Sequence, residues 1–129
     1  MHAGIPIGKL DLYVAAGGFH PNRVLPIVLD VGTNNVGLRE HPLYPGLHQP
    51  RLSGPTYVEF VDEFVTAVTQ RYPKAVLQFE DFSIDRALPL LERYRYDHLV
   101  FNDDIQVLHC RNSLTCHPKI SFPWSALQV

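Results

Sequence analysis

Five acidic side chains close three short apolar runs of this chain. Asp30 follows Val24 to Leu29, Glu80 and Asp81 follow Ala75 to Phe79, and Asp103 and Asp104 follow Leu99 to Phe101 and Asn102. If the runs are parallel strands, ligands bind beyond their carboxyl ends, and several carboxylates gather around one crevice. Like charges brought together repel, and a bound cation compensates them. Carboxylate oxygens, with no histidine or cysteine in these motifs, favour a hard ion, Mg²⁺ or Mn²⁺, over zinc. An acid at a strand end more often caps the next helix or sits in solvent, and Asp30, followed by Gly32-Thr33, is read that way. Two adjacent pairs at the ends of two successive strands carry the metal reading. Lys9 is the other candidate. It falls in the first turns of a predicted helix, where the dipole disfavours positive charge and lowers its pKa, as a lysine acting as a base requires. Taken alone, an exposed lysine is the ordinary alternative.

The elements that must position these groups follow from periodicity. Pro6 suits a first helical turn, and Leu10, Tyr13 and Val14 recur at helical spacing up to Gly17-Gly18, predicting a helix over 6–16. Val24 to Leu29 reads as a strand near an edge, because Pro26 lacks a ladder donor. The stretch 41–55, with four prolines and two glycines, reads as an ordered surface loop. Thr56 and Glu59 fit a capping box ahead of a long helix whose apolar stripe includes Tyr57, Val61, Phe64, Val65 and Val68. Ala75 to Phe79 reads as a strand, Ser83 as the cap of a helix carrying Ala87, Leu88, Leu91 and Tyr94, and Leu99 to Phe101 as a strand. Helices alternating with strands imply parallel strands joined by right-handed crossovers. The tyrosines and phenylalanines at helical spacing read as core.

Composition narrows the function classes. The 129 residues are 46% hydrophobic and 19% charged with a net charge of -2, an ordinary folded composition for one domain. The eleven basic residues are scattered, which argues against nucleic acid or an anionic membrane as partner. No apolar run approaches the length of a bilayer span, and the first residues do not resemble a secretory signal. The seven histidines show no metal-ligand spacing. Cys110 and Cys116 are too few for a disulfide framework and lack the second pair of a zinc site.

Four strings together resemble a known family: Gly4-Ile5-Pro6-Ile7-Gly8-Lys9-Leu10, Leu29-Asp30-Val31-Gly32-Thr33-Asn34-Asn35, Leu77-Gln78-Phe79-Glu80-Asp81-Phe82 and Phe101-Asn102-Asp103-Asp104-Ile105-Gln106. In this order and spacing they are similar to the N-terminal, or malic, domain of malic enzymes, the decarboxylating malate dehydrogenases. The intervening Tyr57-Val58-Glu59-Phe60-Val61-Asp62-Glu63-Phe64 and Leu90-Leu91-Glu92-Arg93-Tyr94-Arg95 resemble that family too. The resemblance implies oxidative decarboxylation of (S)-malate to pyruvate and CO₂ with NAD or NADP and Mg²⁺ or Mn²⁺, in a full-length enzyme that is a homo-oligomer. It implies that Lys9 takes the proton of the malate hydroxyl and that Asp103 is the acid partnering the lysine. Glu80, Asp81 and Asp104 are then the metal ligands, with Asp104 also on the cofactor side. The expected fold class is α/β: a three-layer α/β/α arrangement with a short, mostly parallel sheet and an irregular C-terminal tail.

Departures from the family define what else to expect. Residues 1–106 read as a partial malic domain and 107–129 as a tail outside the family. The first stretch holds all thirteen acidic and nine of the eleven basic residues; the tail has no acid, both cysteines, and the only tryptophan, Trp124. The family's upstream tyrosine acid and substrate-binding arginine are not here, and no G-x-G-x-x-G occurs, so a nicotinamide cofactor has no phosphate cradle in these residues. Where the family usually shows asparagine, Arg86 precedes Ala87. The leading expectation is therefore a malic enzyme fragment that is inactive in isolation. Alternatives are a non-catalytic divalent-metal-binding fragment, or a malolactic-type enzyme of the same superfamily that makes lactate. The tail reads as an irregular extension or as translated intron or shifted frame, the second being the expectation. Genomic DNA near codon 107 should then resume Gly-Thr-Ala coding past a splice site or in another frame, and a continuous locus with transcripts ending at Val129 would refute this.

Overall fold

The computed structural model describes residues 4–106. Their elements are α1 (Gly4–Ala15), a 3₁₀ turn (Pro21–Arg23), α2 (Val36–Arg39), α3 (Gly54–Arg71), β1 (Leu77–Phe79), α4 (Ile84–Tyr94) and β2 (Val100–Asn102). The described chain is thus mixed α/β, with five helical elements and a two-stranded parallel sheet. Two compact units are present, Met1–Phe64 and Val65–Val129, with the division falling inside α3.

In the first unit, α1 ends where a glycine is required. A Cβ on Gly17 would stand 2.8 Å from the Tyr13 carbonyl oxygen and 2.9 Å from the Phe19 ring, which packs edge-on against Tyr13 with centroids 5.6 Å apart. The predicted strand over 24–29 is a correction: residues 24–33 form no strand or helix. Pro26 removes one donor, and the backbone bonds that follow go to a loop. Thr33 N–H donates to the Gln49 carbonyl at 2.9 Å, and Leu52 N–H donates to that of Val31 at 2.9 Å. Side chains complete this zipper. Asp30 accepts from the backbone N–H of Gly32 at 2.9 Å and of Leu47 at 2.7 Å, and Asn34 Oδ1 accepts from Arg51 N–H at 3.0 Å. Gly32, at φ +81°, is pressed so closely on Gln49 that a Cβ would lie 2.7 Å from its carbonyl oxygen. Asp30 therefore serves the backbone, as expected, and the proline-rich loop is ordered by these bonds.

The long helix α3 begins at Gly54, two residues before the predicted capping box, because Pro55 is pre-set for a first turn and needs no N–H there. Its Tyr57, Val61 and Val65, four residues apart, are buried. In the second unit β1 pairs in parallel with β2 in the register Leu77↔Val100, Gln78↔Phe101, Phe79↔Asn102. The chain between them forms α4, whose buried Ala87, Leu90, Leu91 and Tyr94 follow the i, i+3, i+4, i+7 pattern of one helical face. Tyr94 meets Phe79 of β1 with ring centroids 5.9 Å apart, and Phe82 closes on Phe79 at 5.1 Å. Cys110, Cys116, Trp124 and the tail expected to be irregular lie outside the described residues.

Leu91, 1% exposed, anchors this core, whereas Leu88 at the flank of the buried stripe is 50% exposed. Leu91→Ala should lower the unfolding free energy by about 2–5 kcal/mol through lost transfer and a residual cavity. Leu88→Ala should change it by less than about 0.5 kcal/mol. Urea unfolding of the two variants checks the difference.

Candidate metal centre

Parallel pairing sends both strands out at the same end of the sheet, so the residues just past Phe79 and Asn102 come side by side. One carboxylate oxygen from each of Glu80, Asp103 and Asp104 lies within 4.8 Å of the others. Glu80 and Asp103 are half-buried and Asp104 is exposed. Three hard oxygen donors at the strand ends form a donor set that suits Mg²⁺ or Mn²⁺ and offers nothing soft for zinc.

Each acid is held by a local device. Gln78 Nε2 donates to Glu80 Oε2 at 3.0 Å and to Asp103 Oδ2 at 2.9 Å, bridging the two strands. Asp81 turns the chain at φ +59°, a left-handed conformation that aspartate tolerates better than most residues, and its N–H donates to Asp104 Oδ2 at 3.2 Å. Asp103 and Asp104 begin a helical turn over 103–106. Asn102, fully buried, caps that turn: its Oδ1 accepts from Ile105 N–H at 3.1 Å, while Gln106 Oε1 reaches back to Asn102 N–H at 2.9 Å. The N-terminal position also places both aspartates where the turn's unpaired N–H groups favour negative charge.

The predicted site residues are thus distributed unevenly. Glu80, Asp103 and Asp104 come together, whereas Asp81 contributes a backbone donor and its carboxylate is not a member of the cluster among the described residues. Lys9 lies on α1 in the other unit and is half-buried. Arg86 pairs with Asp85 at 3.6 Å. The hydroxyl of Ser83 donates to Asp85, and this bond chiefly holds the Asp85 carboxyl below the ordinary carboxylate range. Ser83 occupies the cap position of α4, as predicted, without its side chain bonding the helix backbone. Gln78 and Asn102 were not singled out from the sequence. Their signals were nevertheless available: Gln78 stands two residues before Glu80, on the same face of a strand, and Asn102 is a favoured cap residue directly before the acid pair.

Comparison with known proteins identifies the family. The profile of the malic enzyme N-terminal domain matches residues 1–95, which include Lys9, Glu80 and Asp81. The chain belongs to that family. Over 103 residues, 80% of this chain, it is 64% identical to the mitochondrial NAD-dependent malic enzyme 59 kDa isoform of Solanum tuberosum and 60% identical to the mitochondrial NAD-dependent malic enzyme 2 of Arabidopsis thaliana. An NAD-dependent malic enzyme of Escherichia coli is 59% identical over the same length. The aligned region spans 17–18% of the length of these relatives. No helix among the described residues is long and apolar enough to cross a membrane.

Three carboxylates at this spacing repel one another without a cation. Asp104→Asn removes one charge while leaving an oxygen to accept from Asp81 N–H, so in chelator-treated buffer it should raise the melting temperature. A lower melting temperature for the variant would show that repulsion is not the dominant local force.

Proposed function

We propose that this chain is the metal-binding part of a malic enzyme, whose reaction is oxidative decarboxylation of (S)-malate to pyruvate and CO₂. The observation that carries the reading is the convergence of Glu80, Asp103 and Asp104 at the ends of two parallel strands in a chain of the malic family. In this reading residues 1–106 are part of a three-layer α/β/α domain with a short, mostly parallel sheet, and 107–129 lie outside it. NAD is the preferred cofactor because the relatives above are named NAD-dependent. The full-length enzyme is read as a homo-oligomer.

Glu80, Asp81 and Asp104 would hold Mg²⁺ or Mn²⁺ by analogy with the family. When bound, such an ion supplies positive charge where negative charge develops on the substrate oxygen at C2. Lys9 acts as the base for the C2 hydroxyl proton, and Asp103 serves as the acid that supports the lysine. The nearness of Asp103 to Glu80 and Asp104 favours a second reading of the ligand set, with the Asp103 carboxylate in place of that of Asp81. Hydride transfer needs cofactor and substrate held within a few ångströms, and the 129 residues contain no G-x-G-x-x-G to cradle a dinucleotide. The isolated chain is therefore read as binding the divalent ion without turning over malate.

Mn²⁺ titration of the chain tests the site. Asp104→Asn should weaken binding by at least about tenfold. Asp81→Asn and Asp103→Asn separate the two ligand sets, since the variant that removes a true ligand loses more affinity. Equal Mn²⁺ affinity for wild type and Asp104→Asn would remove Asp104 from the site. Malate-dependent reduction of NAD⁺ or NADP⁺ should be absent, and turnover above background that Lys9→Ala abolishes would overturn the inactive reading.

A further inference from the structure

Gln78 is the middle residue of β1, paired with Phe101 of β2, while Glu80 directly follows β1 and Asp103 directly follows β2. With Gln78 registered opposite Phe101, its side chain stands just inside the pair of acids that leave the sheet. A primary amide carries two N–H donors that diverge from one nitrogen. Here one donor takes Glu80 Oε2 at 3.0 Å and the other takes Asp103 Oδ2 at 2.9 Å. The two acids follow different strands, 23 residues apart in sequence, so this one nitrogen ties together carboxylates from two separate segments of the chain.

The chemistry of the donor matters as much as its place. A lysine or arginine here would also bind both acids, but its full charge would oppose a cation in the same cluster. An amide restrains the carboxylates through partial charge and leaves their formal charge available to an ion. Each carboxylate has two oxygens, and a bond to one of them orients the other.

We propose that Gln78 is a positioning residue of the cation site, clamping Glu80 at the end of β1 and Asp103 at the end of β2 at the separation a small divalent ion requires. The proposal rests on the reading of the acid cluster as a cation site. Mg²⁺ demands near-ideal geometry whereas Ca²⁺ accepts flexible, irregular shells, so a clamp of this kind affects the two ions unequally. Loss of the clamp therefore weakens small ions more than Ca²⁺, while general destabilisation weakens both alike.

The test is Mn²⁺ titration of the 129-residue chain, with Mg²⁺ and Ca²⁺ affinities measured by competition against Mn²⁺. Wild type is compared with Gln78→Met, similar in size but without the donors, and with Gln70→Met at an exposed position of α3 as control. Gln78→Met should weaken Mn²⁺ and Mg²⁺ by about tenfold, the low end for groups that orient metal ligands, and Ca²⁺ by clearly less; Gln70→Met should change nothing. Unchanged Mn²⁺ affinity in Gln78→Met, or equal losses for Mg²⁺ and Ca²⁺, overturns the clamp while leaving the cation site standing. Absence of Mn²⁺ binding in wild type overturns both. Circular dichroism checks folding, and if Gln78→Met does not fold, Gln78→Asn carries the test. Its amide is one methylene too short to span both acids, so wild-type affinity and selectivity in that variant overturn the proposal.

Discussion

The parallel pairing of β1 with β2 is the constraint on which the acid cluster depends. In an antiparallel pair the two strand ends that carry acids would point in opposite directions. In the parallel pair they leave together, and the register Phe79↔Asn102 makes Glu80 and Asp103 neighbours. Backbone hydrogen bonds and the apolar contacts of α4 against the strands supply the energy that keeps like charges close. Phe79 does this directly, being 3% exposed, packed edge-to-face against Tyr94 and immediately before Glu80 in the chain.

Uncharged donors bond all three acids. Gln78 offers an amide to Glu80 and Asp103, and Asp81 offers its N–H to Asp104. Asn102 caps the turn that carries Asp103 and Asp104 and is wholly buried beneath it. Neutral donors order carboxylates without cancelling their charge, which is what a site for a hard cation needs. The left-handed backbone at Asp81 belongs to the same construction, because it aims that N–H at the neighbouring strand's acid.

The first unit uses acid and amide side chains for a different purpose. Asp30, Asn34 and Asn35 all bond backbone N–H groups, of Gly32 and Leu47, of Arg51, and of Leu38. The string Leu29 to Asn35, so recognisable in sequence, ties its segment to the proline-rich loop in this structure. Thr33 joins in, 6% exposed, with its hydroxyl accepting from Asn35 N–H at 3.1 Å. Recognisability of a motif and participation in chemistry are therefore separate properties in this chain.

Sequence alone determined the features that depend on neighbours along the chain. Period 3.6 located α1, α3 and α4, the short aliphatic runs before acid pairs located β1 and β2, and Ser83 and Gly17 marked element ends within a residue or two. It also placed the chain in its family, because that rests on strings of residues. Tertiary structure decided what depends on distant partners. Residues 24–29 have the composition of a strand, but they form none, and the residues that follow them bond a later loop in place of a ladder; no local pattern encodes that choice. The membership of Asp103 in the acid cluster, and the bridge from Gln78, required the register between two strands separated by a helix. A one-residue slip would have turned those side chains to the opposite face.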